Sequence, residues 1–448
     1  MLQLQIIRQN PGWVKERLAV KNFKNTQIVD TIIDIENIKR PFKPRIDKFK
    51  EEIKNITNEI ESYLRQKDTK AIADTNEKIT SQKNKVYELK EKINSQEKLY
   101  QEWERKVTDL LLLLPNLPSE KVPIIVKSET GELKAIGYPP TIKITSLGNV
   151  VEREGGNKPN LPKEALPHWE LAKKYDLINF ELGNKITGSG FPVYKNKGAK
   201  LERALIQYFL DYNTTAGYTE YLPPLMVNET TAFGTGQLPD KEGQMYFAKE
   251  DNFYLIPTAE VPLTNIYRDE ILKEADLPIK MTAYTPCFRR EAGSYGKDVR
   301  GLNRVHQFDK VEIVQLVDPE KSYDVVEEMV NHVEKLVQSL NLPYRILKLC
   351  GGDMSFASAL TYDFEVYSAA QDKWLEVSSV SNFETFQTNR MKIRFKDKTG
   401  KSQLVHSLNG SSLALPRILA CLLENNQTGS EIILPLVLHS YFGSDRIN

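Results

Sequence analysis

Apolar residues recur at steps of three and four at Ile46, Phe49, Ile53, Ile56, Ile60 and Tyr63, with charged and polar side chains between them. That spacing lays one narrow apolar stripe along a helix. After the mostly polar stretch from Lys67 to Asn76 the pattern resumes at Ile79, Val86, Leu89, Ile93, Tyr100, Trp103, Val107 and Leu110. Two striped helices joined by a short polar connection predict an antiparallel coiled-coil hairpin. At about 1.5 Å of rise per residue, such a hairpin reaches tens of ångströms and is expected to project from any globular body. Pro41 and Pro44 interrupt the lead-in, so a kink or a fresh helix start is expected there.

The stripe ends at Leu111 to Pro115, and the chain up to about Lys163 is rich in Pro, Gly and Lys, as a linker would be. Beyond His168 the pattern is that of a mixed globular domain, with a helix over Lys200 to Ala216 and strands around Ala283, Val311 and Phe364. Met391 to Phe395 and Gln403 to Val405 flank Asp397-Lys-Thr-Gly400, a hairpin signal. Strands and helices interleave without the regular rhythm of a parallel doubly wound sheet. The fold class expected is α+β: an N-terminal helical hairpin, then a domain on a mostly antiparallel sheet flanked by helices. The boundaries read as 1–115, 116–165 and 166–448.

Charge refines this picture. The 448 residues hold 61 Lys and Arg against 60 Asp and Glu, a net +1, so the chain is not a generally basic nucleic-acid binder. Between Lys39 and Lys106, however, 18 basic residues face 13 acidic ones, which leaves the rest of the chain near minus four. A basic hairpin can follow a phosphate backbone through counterion release; a solvated coiled-coil spacer or dimerisation rod is the other reading of the same charges. Cys287, Cys350 and Cys421 are odd in number and too scattered for a zinc ribbon or a redox pair. Met1 opens no basic segment followed by a long apolar one, and the longest apolar runs fall well short of the roughly 18 residues of a membrane span. A reducing, cytosolic setting without a membrane span is expected.

Several familiar chemistries lack their signatures. Gly188-Ser-Gly190 and Gly234-Thr-Gly236 continue into neither a dinucleotide nor a phosphate-loop motif and read as loops. The five histidines (His168, His306, His332, His406 and His439) form no H-x-x-x-H pair, and no G-x-S-x-G elbow is present. The informative stretch runs from Thr285 to Glu312, where two strand-like flanks enclose a loop holding Gly293, Gly296, Gly301, Lys297, Arg300 and Arg304. Arginine forks around a glycine-rich turn suit polyanions, because guanidinium meets phosphate oxygens in bidentate pairs. A charged surface hairpin is the alternative by charge pattern alone.

Phe288-Arg-Arg-Glu291 resembles the F-R-x-E signature of class II aminoacyl-tRNA synthetases, and the run through Arg304-Val-His-Gln-Phe-Asp-Lys-Val-Glu312 resembles the seryl-tRNA synthetases in particular. Other blocks follow in the family's order. Gly217-Tyr-Thr-Glu-Tyr-Leu-Pro-Pro224 resembles motif 1, and Pro257-Thr-Ala-Glu260 the serine-binding block. Glu376-Val-Ser-Ser-Val-Ser-Asn-Phe-Glu384 resembles the block before motif 3, and Asn409-Gly-Ser-Ser-Leu-Ala-Leu-Pro-Arg417 motif 3 itself. The N-terminal hairpin is similar to the family's tRNA-binding arm, so the likeness spans essentially the whole chain.

The resemblance implies a serine-tRNA ligase using ATP and Mg²⁺. It implies ATP contacts from Arg289, Arg290, Glu291, Arg304, Phe308, Glu376, Val377, Ser378, Ser379 and Arg417, with Arg289, Glu291 and Arg417 the catalytic set. Glu376 and Ser379 would hold the cation. Serine would be bound by Thr258, Ala259, Glu260, Arg289, Glu312, Asn409 and Ser411, with Glu312 on the side-chain hydroxyl and Thr258 and Glu260 near the ammonium. The resemblance further implies a cytoplasmic homodimer acting on serine tRNA and on selenocysteine tRNA, and the zinc-dependent form is not expected from these cysteines. Pro41 and Pro44 at the arm's root, and Ser412 and Pro416 in motif 3, depart from the family pattern. A paralogue that loads a carrier protein lacks the long arm, and a non-catalytic relative would not need Arg289, Glu291, Glu376 and Arg417 intact.

Overall fold

The computed structural model describes residues 1–65, 72–128, 131–161, 163–240, 243–291 and 300–448. Gly293, Gly296 and Lys297 of the glycine-rich loop, and Lys67 to Ala71 of the polar connection, lie outside them. The chain divides into two compact units, one of Leu4–Glu16 and Lys24–Leu114, the other of Met1–Gln3, Arg17–Phe23 and Pro115–Asn448.

In the first unit, α1 (Phe42–Arg65) and α2 (Ile72–Leu113) form the hairpin. They run antiparallel: Lys50 pairs with Glu97 at 2.8 Å and Glu52 with Lys85 at 3.1 Å, and Gln82 donates to Glu59 at 2.8 Å, so numbers rise along one helix as they fall along the other. These pairs are solvent-exposed and contribute little. The apolar stripe holds the helices together: Ile46, Ile56, Ile79, Leu89, Ile93 and Val107 are buried, each stabilising by about 1.5–3 kcal/mol when fully removed from water. The prolines produce a fresh start. A helix Ile28–Lys39 ends before Pro41, and Pro44 falls in the first turn of α1, where no intrahelical N–H bond is lost.

The second unit is built on an eight-stranded sheet. In chain order its strands are β1 (Val150–Gly155), β2 (Thr219–Glu220), β3 (Ile279–Phe288), β4 (Gln307–Val317), β5 (Tyr344–Lys348), β6 (Leu360–Ser368), β7 (Lys373–Asn382) and β8 (His406–Ala414). Their spatial order is β1-β5-β6-β7-β8-β4-β3-β2, with every neighbouring pair antiparallel except β3 and β2. Helices α3 (Asn196–Thr215), α4 (Ser322–Ser339) and α5 (Leu415–Asn425) cover one face, where Phe209, Val330 and Leu419 pack with Ile313, Phe364 and Val380. Ten of the eleven residues of α5 are buried, as expected of a helix apolar on every side; the exception is Arg417.

Two expected elements begin elsewhere. The strand expected from Met391 starts at Arg394, because Met391 closes a short helix Phe386–Met391 and Lys392 takes a left-handed φ of 54° to leave it. The turn follows the expectation, with Arg394–Lys396 pairing antiparallel with Ser402–Leu404 and Gly400 at φ 80°. Gly234 belongs to a helix, Glu229–Thr235, that Gly236 caps in the left-handed region, so this glycine pair is a helix end rather than an open loop. The three cysteines are buried and unpaired, and no helix among the described residues is long and apolar enough to cross a membrane.

The start of α3 depends on a close approach. A Cβ at Gly198 would lie 2.1 Å from the carbonyl oxygen of Leu177, whose oxygen also accepts from the Lys195 N–H at 2.8 Å. Alanine gains about 1 kcal/mol over glycine inside a free helix, but overpacking against a backbone carbonyl costs about 1–3 kcal/mol or more and outweighs it. Gly198→Ala is therefore expected to lower the thermal midpoint, measured by calorimetry; an unchanged or higher midpoint would contradict the packing described.

Candidate active site

Alternation along β4 separates two environments. Val311 and Ile313 point into the helix-covered core, whereas Phe308, Lys310 and Glu312 occupy the opposite face with Val314 and Leu316, which join a second apolar cluster containing Ala259, Met281 and Ala283. Register places Ala283 of β3 and Ser411 of β8 opposite Glu312, and Asn409 opposite Val314. Asn409 and Ser411 thus share a sheet face with Glu312, and Ser381 pairs with Asn409 from β7.

A buried carboxylate forms the floor of this face. Glu312 is 2% exposed, and its Oε2 accepts from Thr258 Oγ1 at 3.1 Å and Ser411 Oγ at 3.5 Å and lies 2.5 Å from Lys310 Nζ. A second carboxylate, Glu260, is also buried; its Oε1 accepts from Gln387 Nε2 at 2.6 Å. Burial, then the neighbouring charge of Glu312, pushes the Glu260 carboxyl up to about 7, with Gln387, Lys310 and Arg289 pulling the other way. Gln387 is fixed in turn, donating to Thr235 O at 3.1 Å and accepting from Ser407 Oγ at 2.7 Å. Thr258 and Ala259 precede the short helix Glu260–Asn265, and Ala259 is buried in the second cluster.

Beside this pocket lies a cationic wall. The guanidinium of Arg289, just past β3, lies 5.2 Å from the ring centroid of Phe308 and donates to Pro257 O at 3.4 Å. Glu291 pairs with Arg304 at 3.0 Å. Arg290 is exposed and held through its backbone N–H on Gln244 O at 2.9 Å. Arg417, in the first turn of α5, donates to Asn303 O at 3.1 Å and to Glu376 O at 2.6 Å, with the Glu376 carboxylate 3.9 Å away.

The Glu376 block splits between faces. Val377 is buried in the helix-covered core, so only its backbone is available to a ligand on the other side, and the Ser378 hydroxyl is taken by Ser411 O at 2.6 Å. Glu376 and Ser379 pair across to Glu365 and Asp363 of β6. Burial, then the charge of Glu376, raises the Asp363 carboxyl, which accepts from Ser379 and keeps a buried, unpartnered Oδ1. Hard oxygen donors with an unsatisfied carboxylate oxygen fit a divalent cation such as Mg²⁺. No group of three or more His, Cys, Asp or Glu among the described residues could hold a metal unaided; Mg²⁺ takes most of its ligands from water and phosphate.

The sequence reading passed over three supports: Gln387, Lys310 and His168. Lys310 was legible, since the Lys-x-Glu spacing puts Lys310 and Glu312 on one strand face. His168 was not: it accepts the Leu302 N–H at Nε2 over 2.8 Å, which leaves the proton on Nδ1 to donate to Glu424 Oε1 at 2.7 Å. Burial pushes the Glu424 carboxyl up, but bonds from His168 and Ser368 hold it below the usual range. The pair ties α5 to the strand of chain beside Asn303, and so to Arg417.

Comparison with known proteins identifies the family. Residues 1–118 match the family described as seryl-tRNA synthetase N-terminal domain, and residues 246–426 match the tRNA synthetase class II core domain (G, H, P, S and T). A serine–tRNA ligase of Salinibacter ruber is 45% identical over 100% of this chain and 99% of its own length, and one of Methylacidiphilum infernorum is 42% identical over 99% of each. The structure of a Pyrococcus horikoshii seryl-tRNA synthetase complexed with ATP superposes with a TM-score of 0.84 at 31% identity, covering 100% of this chain and 99% of that one. The full-length identity, the two matched domains and the shared fold together place the chain in the seryl-tRNA synthetase family of class II aminoacyl-tRNA ligases.

Proposed function

We propose that this protein activates L-serine with ATP and then transfers the seryl group to the 3′-terminal adenosine of serine tRNA, and of selenocysteine tRNA where one exists. The observation that carries the reading is the pairing of two buried carboxylates, Glu312 and Glu260, with the Arg289 cation beside Phe308. In the first step the serine carboxylate attacks the α-phosphorus of ATP: a phosphorus–oxygen bond forms, the bond to the bridging oxygen breaks, and pyrophosphate leaves. The nucleophile is already an anion, so no general base is needed. Catalysis is then alignment plus stabilisation of phosphoryl charge.

Arg289 contacts the α-phosphate and the serine carboxylate, Phe308 stacks on adenine, and Glu291, positioned by Arg304, reads the adenine amino group. Arg417 holds the γ-phosphate of a bent ATP. Arg290 and the backbone around Val377 and Ser378 complete the nucleotide site. Glu376 and Ser379 are the residues that would hold Mg²⁺, which when bound neutralises phosphate charge. Thr258, Ala259 and Glu260 face the serine ammonium, and Glu312, Asn409 and Ser411 select its hydroxyl. A site built to hydrogen-bond that hydroxyl rejects alanine by about 10⁴–10⁵, because its polar groups would be left unpaired. In the second step a ribose hydroxyl of the tRNA terminus attacks the acyl carbon and AMP leaves.

The domain roles follow: residues 1–115 for tRNA binding with the hairpin as arm, 116–165 as linker, and 166–448 for aminoacylation, in a cytoplasmic homodimer. The basic, regular hairpin suits recognition of tRNA shape and backbone.

Serine-dependent exchange of pyrophosphate into ATP tests the proposal directly. Exchange is expected with serine and not with alanine, glycine or threonine, and Arg289→Ala and Arg417→Ala are each expected to lower kcat/KM by about 10²-fold or more; exchange with none of the four would refute the activity. Deleting residues 39–106 is expected to abolish tRNA charging while adenylate formation persists, and efficient charging by the shortened chain would refute the arm's role. Glu260 supplies a pH test. Its folded pKa of about 7 lies above the unfolded value, so ionising it opposes folding increasingly as pH rises from about 4.5 through 7. Glu260→Gln should therefore melt higher than the parent at pH 8, by about 3 kcal/mol, with the gap closing toward pH 4.5. The same variant should bind serine more weakly, having lost the ammonium's partner; a gap independent of pH would refute the assignment.

A further inference from the structure

Lys310 is a buried cation that the activation chemistry above does not use. Its side chain is 7% exposed and that of Glu312 is 2% exposed, with Nζ 2.5 Å from Glu312 Oε2. Lysine is almost never buried this deeply unless paired. Lys310 and Glu312 lie two positions apart on β4, so the strand itself puts both side chains on one face; the extra residue of the irregular β4–β8 pairing lies on β8, between Ser411 and Ala414. Folding alone does not explain the pair, because buried ion pairs rarely stabilise more than apolar residues of the same volume. Its place in the amino-acid pocket does.

All three protein contacts to Glu312 converge on one oxygen. Oε2 takes Lys310, Thr258 and Ser411, while Oε1 takes no donor from the described residues and is not among the buried unpartnered oxygens, so it opens to the cleft. The Lys310 ammonium makes its ion pair with Glu312, and its charge also reaches the nearby Glu260. We propose that Lys310 is a positioning residue for amino-acid selection: its ammonium holds Oε2 and fixes the Glu312 side chain, so that the free oxygen accepts a hydrogen bond from the side-chain hydroxyl of serine. A fixed acceptor discriminates more sharply than a mobile one, since it cannot turn to another donor and an amino acid without the hydroxyl leaves that oxygen unpaired. The inference rests on Glu312 as the hydroxyl acceptor.

The test is steady-state pyrophosphate exchange with the full-length chain, comparing Lys310→Met, Lys310→Arg, Glu312→Gln and the K310M/E312Q double variant. K310M is expected to raise KM for serine about 10–100-fold and to narrow the preference for serine over alanine about tenfold, with kcat and KM for ATP within about threefold of the parent. K310R, which keeps the charge, should recover most of the serine KM. In the E312Q background the further loss from K310M should stay within about threefold, because the partner through which Lys310 acts is gone. A rise in KM for ATP equal to that for serine, or a loss in K310M that is undiminished in the E312Q background, would overturn the proposal. Should K310M alone not fold, the double variant removes the whole pair, and its comparison with E312Q decides: a further tenfold loss overturns the proposal, near-equality upholds it. Absence of serine-dependent exchange in the parent chain would instead overturn the reading of the pocket, and the role of Lys310 with it.

Discussion

Side chains along a β-strand alternate between two faces, and in this protein that alternation keeps apolar packing and ionic chemistry apart within one sheet. Val311 and Ile313 enter the helix-covered core while Lys310 and Glu312, one position away, face the cleft. On β7 an irregularity in the pairing, which leaves Val377 between Ser378 opposite Phe364 and Glu376 opposite Glu365, lets Val377 and Val380 both be core residues while Glu376 and Ser379 pair with Glu365 and Asp363. A one-residue slip would bury the charges under α4 and α5 and expose the aliphatic side chains. The extensive core on the helix side therefore secures the register on which every contact in the site depends.

Charge within the site is divided rather than balanced. Glu312 has Lys310 in direct contact, whereas Glu260 has the Gln387 amide in contact and the Lys310 and Arg289 charges only nearby, and its carboxyl is pushed up by burial and by Glu312. Glu260 is thus a buried carboxylate whose ionisation opposes folding. Asp363 is raised in the same way, by burial and by Glu376.

The cationic wall is held from behind. Arg417 is the one residue of α5 that is not buried, and it is anchored on the backbone of Asn303 and Glu376. Glu424, two turns further along the same helix, reaches His168 and through it the Leu302 N–H. One buried helix therefore positions the arginine and the end of the glycine-rich loop together. Leu413, the last residue but one of β8, takes a strained non-glycine φ of 74° just before the chain enters this helix.

Much of this was legible in the sequence. The three-and-four spacing from Ile46 to Leu110 was enough for the hairpin, because a coiled-coil stripe is a local pattern that needs only its partner helix. The motif blocks located the arginines and carboxylates, because alternation and chain order survive into the fold. The start of the Arg394 strand was missed because a left-handed residue, Lys392, ends a helix that local pattern does not announce. The partners of the site residues were invisible for a different reason. Gln387 lies 127 positions from Glu260, and Glu424 lies 256 from His168. Such contacts are created only when distant segments pack, and burial then raises Glu260 and directs Lys310 at Glu312. The sequence by itself determined the elements and the chemical groups; the tertiary structure decided which groups meet, because desolvation and hydrogen-bond geometry exist only once the sheet and its helices have closed around them.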